Sequence, residues 1–151
     1  MTETWLTVRV SLLRGRGMDC DPAPGRELLV GPRHTFADLA DAIDQAFARW
    51  DLSHLHVFEL PDGRSVGYPD DEMGFEDQEQ LRVVDAIRPG DVFTYTFDLG
   101  DEWVHSCIAD AGFDPRTEWG EAPADVVLIF GWGTIPDQYG RKEDDRPPGL
   151  R

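Results

Sequence analysis

Residues 92–109 read VFTYTFDLGDEWVHSCIA. Two runs in which side-chain character alternates flank Gly100-Asp101, the pattern of a β-hairpin. Gly in the first position of a two-residue turn favours type II′, because that position takes positive φ. The reading pairs Asp98 with Trp103, Thr96 with His105 and Thr94 with Cys107. On the other face it pairs Phe97 with Val104, Tyr95 with Ser106 and Phe93 with Ile108. One face is then apolar and turns to the core, while the other gathers Asp98, Trp103 and His105.

On that polar face Asp98 and His105 become diagonal neighbours. A carboxylate beside an imidazole raises its pKa and fixes its tautomer, as a general base or a metal ligand requires. Asp98 and His105 are therefore the candidate catalytic residues, and Asp98, Trp103 and His105 the candidate binding residues. An ordinary stabilising cross-strand pair is the alternative. Trp103 is expected to stand exposed beside the charges. Asp101 is explained as part of the turn.

Outward from the hairpin, residues 4–13 (TWLTVRVSLL) alternate as a strand, with Trp5, Thr7 and Arg9 on one face and Leu6, Val8 and Val10 on the other. RGRGMDCDPAPG (14–25) reads as a loop, and RELLVG as a short second strand. The clearest helix runs from Thr35 to about Arg49. Phe36, Leu39, Ala40, Ile43, Ala46, Phe47 and Trp50 make one apolar stripe. Thr35 is its expected N-cap, and Asp38, Asp41 and Asp44 its outer face. HLHVFEL (54–60) is a strand, and RSVGY its hairpin return. PDDEMGFEDQEQ is an exposed acidic loop without the Asp spacing of a calcium-binding EF-hand. LRVVDAI fits helix or strand, and DVVLIFGWG reads as a buried strand.

These elements predict an α+β protein. A single domain over 1–140 carries a twisted, mostly antiparallel sheet with one principal amphipathic helix packed on one face. Residues 141–151 are expected to form a flexible, charged, Pro-rich tail.

Composition excludes several functions. The net charge is −16. It is uneven: residues 1–33 hold five Arg against four acids, and residues 34–151 hold nine bases against 26 acids. So acidic a surface repels nucleic acid and anionic membranes, so neither is an expected partner. No apolar run approaches the roughly 20 residues of a membrane helix, and no signal peptide is apparent. Cys20 and Cys107 fit neither zinc spacing nor a disulfide framework, which predicts reduced thiols and a cytoplasmic setting. There is no phosphate-binding loop, dinucleotide fingerprint or nucleophile elbow, and no cofactor is implied. His54 and His56 share one strand face as weak metal-ligand candidates that lack a third ligand.

Three stretches together resemble the plasmid Ri open-reading-frame-three-like family, also known as passenger proteins of insertion elements. They are FADLADAIDQAFARW followed by SHLHVFEL, then FTYTFDLGDEWVHSCIAD, then IPDQYG. In the second, Tyr95, Phe97, Asp98, Leu99, Gly100, Asp101, Trp103 and His105 match the family's hairpin pattern. The likeness spans roughly 4–140. It departs at 14–25, where the family carries a Trp-Arg-Arg segment, and it lacks the Gly pair near the C-terminal end. The resemblance implies an α+β domain, a bacterial or mobile-element setting and no established activity.

The expected function is a non-enzymatic protein-interaction or accessory module with a protein partner, basic in charge, and the chain as monomer or homodimer. Two alternatives stand beside it: a small metal-dependent or hydrolytic enzyme using the Asp98, Trp103 and His105 face, and an acidic mimic of nucleic acid.

Overall fold

Alternation in LTVRVSLLRG produces the longest strand, β1 (Leu6–Gly15), whose Leu6, Val8, Val10 and Leu12 are buried. A computed structural model describes residues 3–141 of the chain; the expected tail, 141–151, lies outside them but for Arg141. Next come β2 (Met18–Asp19), β3 (Gly25–Val30) and α1 (Phe36–Ala46). The middle of the chain forms β4 (His56–Glu59), β5 (Ser65–Gly67), β6 (Glu76–Asp77) and α2 (Val83–Ala86). Then follow β7 (Val92–Phe97), β8 (Trp103–Ala111), α3 (Pro115–Trp119) and β9 (Val127–Trp132).

The strands join in one sheet, ordered β6-β5-β4-β7-β8-β1-β3-β9, with β2 pairing on β1. All neighbours are antiparallel except β5 and β6. The fold is thus α+β, with an open, mostly antiparallel sheet and few short helices. Its centre is β1, between β3 and β8.

Helix α1 covers one face of this sheet. Phe36, Leu39, Ala40 and Ile43 pack with Leu6, Val8, Val10, Leu28, Phe58 and Tyr95 in one core. Its start is fixed by a reciprocal capping box: Asp38 N donates to Thr35 Oγ1, and Thr35 N donates to Asp38 Oδ2. Helix α1 ends earlier than its apolar stripe suggests. Ala48 takes φ 55°, which turns the chain after Phe47. Arg49 therefore enters the core instead of continuing the helix, and Trp50 lies exposed outside the stripe. Asp44 also departs from the expected outer face: it is buried against β7.

LRVVDAI resolves as the single turn α2, and RSVGY returns as β5. The stretch expected as a buried strand is β9, an edge strand with Leu128 and Phe130 exposed. The face opposite α1 is largely open. Register places Val92, Ile108, Arg9, Glu27 and Phe130 in one row across β7, β8, β1, β3 and β9. All five members except Glu27 are exposed, and the Arg9 guanidinium stands 4.7 Å from the Trp132 ring centroid.

The hairpin corrects its expected register. Phe97 pairs with Trp103, Tyr95 with His105 and Phe93 with Cys107. Residues 98–102 form the loop. The left-handed backbone falls on Asp98 (φ 63°) and Glu102 (φ 52°) instead of on Gly100. A slip of one residue exchanges the faces of one strand relative to the other. Both aromatic rows therefore share the buried face, and Trp103, expected to be exposed, is only 4% exposed.

Candidate functional site

Asp98 owes its place to the loop. Its Oδ1 accepts from Gly100 N at 3.0 Å and from Asp101 N at 3.2 Å, while Glu102 N donates to its carbonyl at 2.7 Å. These bonds tie down the backbone that the two left-handed residues bend. Asp101 N and carbonyl are also used: the carbonyl accepts from Arg16 N, which joins the β1–β2 turn to the hairpin loop. Above β1 the Trp103 ring lies flat on Gly15, where a Cβ would fall 1.9 Å from Cε3. Only glycine admits the ring there.

The sequence reading placed His105 beside Asp98, but the structure separates them. His105 is fully buried between β1 and β7, opposite Leu12 and Tyr95. Its Nε2 accepts from Arg49 Nη2 at 2.9 Å, and Nδ1 donates to the Tyr95 carbonyl at 2.8 Å. Arginine is always a donor, so this arrangement fixes the neutral Nδ1–H tautomer. Burial, followed by the Arg49 charge, holds the imidazole pKa well below its ordinary value. A base with both nitrogens committed and no access to solvent abstracts no substrate proton.

Arg49 is a residue that sequence reasoning passed over as part of a helix. It is 8% exposed, and its guanidinium carbon lies 5.4–5.5 Å from the ring centroids of Phe47, Phe97 and Trp103. Three aromatic faces thus surround one cation. Nearby, Tyr95 Oη donates to Asp44 Oδ1 at 2.8 Å. Burial raises the Asp44 carboxyl from 3.8 to about 7, against the opposing effects of the Tyr95 hydrogen bond and Arg49. Burial likewise drives the Cys107 thiol far upward, so it offers no nucleophile.

The histidine that Asp98 meets is His54. Asp98 Oδ2 lies 3.4 Å from His54 Nδ1, and Asp51 Oδ2 lies 3.5 Å from Nε2. The Tyr139 hydroxyl bridges this group, 2.5 Å from His54 Nε2 and donating to Asp51 Oδ2 at 2.6 Å. That bond pushes the tyrosine up to about 12. Next to it, Gln138 accepts from Trp50 N and Asp51 N and donates to the Asp51 carbonyl. Residues 136–141 therefore clamp the chain that leaves α1. IPDQYG, noted in the sequence only for its likeness to a family element, supplies this clamp.

The two carboxylates address opposite nitrogens of His54, so they do not converge with it on one point. His56 turns away to Gln78 Oε1, at 2.6 Å. Among the described residues no group of three or more His, Cys, Asp and Glu side chains is arranged to hold a metal. No helix among them is long and apolar enough to cross a membrane.

A cleft of about 380 Å³ opens beside Trp103, between the β1–β2 turn and residues 136–140. Asp98, Trp103 and His105 thus surround one end of the sheet but share no pocket. Trp103 lines the cleft, Asp98 holds the loop and faces His54, and His105 is sealed beneath.

The model of the family described as plasmid pRiA4b ORF-3-like protein matches residues 7–127. Among solved structures, the chain is similar to a protein of unknown function, MM3350, from Methanosarcina mazei Go1. That crystal structure aligns with a TM-score of 0.64 at 22% identity, covering 87% of this chain and 70% of the other. The likeness supports the fold. No curated protein matches the sequence.

Proposed function

The chain belongs to the plasmid pRiA4b ORF-3-like protein family, and on that premise we propose that it is a non-enzymatic protein-interaction module of plasmid or mobile-element context. The observation that carries this reading is the open sheet face. Val92, Ile108 and Phe130 stand exposed in one row that spans five strands, on the face that α1 leaves uncovered. Three large apolar side chains exposed along one row, with the Arg9–Glu27 pair between Ile108 and Phe130, are on an otherwise acidic protein the mark of a surface that something covers.

Charge selects the kind of partner. At net −16 a second copy meets strong like-charge repulsion, whereas a basic protein gains from the same field. The partner is therefore a basic protein with its own apolar patch. The candidate catalytic pair supports a non-enzymatic reading, because His105 is sealed and Asp98 is spent on its loop and His54.

The test compares immobilised wild-type protein with the Ile108→Ser, Phe130→Ser double variant, using extract of the native host. The expected result is a basic polypeptide retained by wild type, released as salt rises, and lost by the folded variant. Equal retention by both proteins, or retention of nothing above a blank matrix, refutes the reading. Sedimentation of the wild type as a dimer that the double variant abolishes would assign the face to a second copy instead.

A further inference from the structure

We propose that β9 receives an extended, basic segment of a partner protein as the next strand of the sheet, laid along the groove between α1 and β9. This deepens the reading above and rests on it for the partner's basic charge, but the place of contact is the sheet edge and not the open face.

The two edges of the sheet are unlike. Strand β6 is two residues long, Glu76-Asp77, and its charge guards it against pairing. Strand β9 runs six residues with no charge and no proline, and among the described residues no strand pairs with its outer side. Backbone N–H and C=O groups along such an edge are a template for another chain. The one irregularity of β9 is a bulge: Glu27 pairs with Phe130 and Leu28 with Leu128, so Ile129 is an extra residue. The bulge sends Leu128 and Phe130 to opposite faces. Leu128 stands opposite Leu28, on the side that α1 covers, and Phe130 stands in the row of the open face. They are 50% and 61% exposed. A body resting on either face covers one of them, whereas a strand laid along the edge flanks both.

The groove selects the occupant. Two adjoining hollows of about 150 and 260 Å³ lie between α1 and β9 and share Ala42, Gln45 and Val126. The larger is completed by Leu28, Ala46 and Leu128 and suits apolar side chains. The smaller is completed by Asp38, Asp41 and Asp125, and no basic residue lines either hollow. Among the described residues none of these three carboxylates is ion-paired with Lys or Arg. Asp125 precedes β9, so the acidic end adjoins the start of the strand. An added strand antiparallel to β9, the commoner arrangement, brings its C-terminal end to that point. The segment that fits therefore carries β-branched residues along the length of β9 and then continues in Lys and Arg.

The test titrates the full chain into a fluorescein-labelled peptide, SVTITVGKKR, and reads anisotropy, with SVTITVGEED as control. The expected result is saturable binding of the basic peptide that weakens as salt rises, and none of the acidic one. Two further versions of the basic peptide carry N-methyl groups on one or the other alternating set of strand amides. Only one set faces β9, so one version should lose binding and the other keep it. Asp41→Asn with Asp125→Asn should bind about threefold or more weakly at low salt, and Leu128→Ser, which leaves the open face intact, about fivefold more weakly. If a variant does not fold, the methylated peptides on wild type still decide. Amide NMR shifts should centre on Val127–Trp132. The proposal is overturned by no binding of the basic peptide, by equal binding of the acidic one, by both methylated versions behaving alike, or by folded variants that bind like wild type. Shifts centred on Val92 and Ile108 would refer the peptide to the open face, overturning this proposal while leaving the reading above in place. A dimer of the protein alone that Leu128→Ser dissociates would give the edge to a second copy, and also overturns it.

Discussion

Asp44→Asn probes the buried carboxyl that α1 presents to Tyr95. In the folded protein burial lifts this group to about 7 from an ordinary 3.8. The unfolded chain releases its proton near pH 4, and the folded chain holds it to about pH 7. Between those limits the folded state binds more protons, so stability falls as pH rises across the window. Below it the group contributes nothing to the pH dependence; above it the penalty is complete. Roughly three pH units at about 1.4 kcal/mol each set that penalty at about 4 kcal/mol. Asparagine cannot ionise, yet its Oδ1 still accepts from the Tyr95 hydroxyl. Asp44→Asn should therefore stabilise the protein by about 2–4 kcal/mol near pH 8.5 and by less, about 1–2 kcal/mol, near pH 5. Urea unfolding at the two pH values reads this as a midpoint shift at constant slope. A variant that differs from wild type equally at both, or is the weaker protein near pH 8.5, refutes the argument that Asp44 is held against its charge.

Other perturbations test neighbouring statements. Gly15→Ala puts a Cβ 1.9 Å from the Trp103 ring; the ring must leave its seat, and calorimetry should show a loss of at least about 1–3 kcal/mol. Asp98→Ala removes the acceptor for two loop amides from a left-handed position and should cost about 1–3 kcal/mol, whereas Asp98→Asn keeps both features and should stay within about 0.5 kcal/mol by chemical denaturation. Thr35→Ala opens the capping box and should cost about 1 kcal/mol, with no change at the open sheet face by amide NMR shifts. The Cys107 thiol should resist a disulfide reagent in native protein and react once urea unfolds the chain; fast native reaction at Cys107 would contradict its burial.

Most of the architecture could be read from pattern. The faces of β1, the capped start of α1 and the β4–β5 return all follow from local alternation or capping chemistry. The hairpin shows where such reading stops. Gly100 invites a two-residue turn, but Asp98 can accept from two amides and takes the left-handed bend itself. The loop then holds five residues, and His105 and Trp103 move from the expected polar face into the core. Arg49 was hidden for a similar reason. Helical spacing continues through it, and only the positive φ of Ala48, at a residue with no special preference for it, turns the chain inward. His54, Asp51 and Tyr139 meet from segments up to 88 residues apart, and no periodicity announces such a meeting. Asp98 was singled out from sequence, but its histidine was misassigned because partner choice depended on the turn.

The position of β1 has a consequence for synthesis. It precedes the other described strands in the chain, yet one of its two long flanking partners, β8, is made about a hundred residues later. Until Trp103–Ala111 emerges, Val8 and Val10 have β3 alone on one side, and Arg49 has neither His105 nor Trp103 to enclose it. The centre of the sheet is thus assembled from sequence-distant pieces, which marks the protein as a slow folder for its size. A nascent chain stopped before residue 103 holds its central strand half-paired, in the state where chaperones would find it.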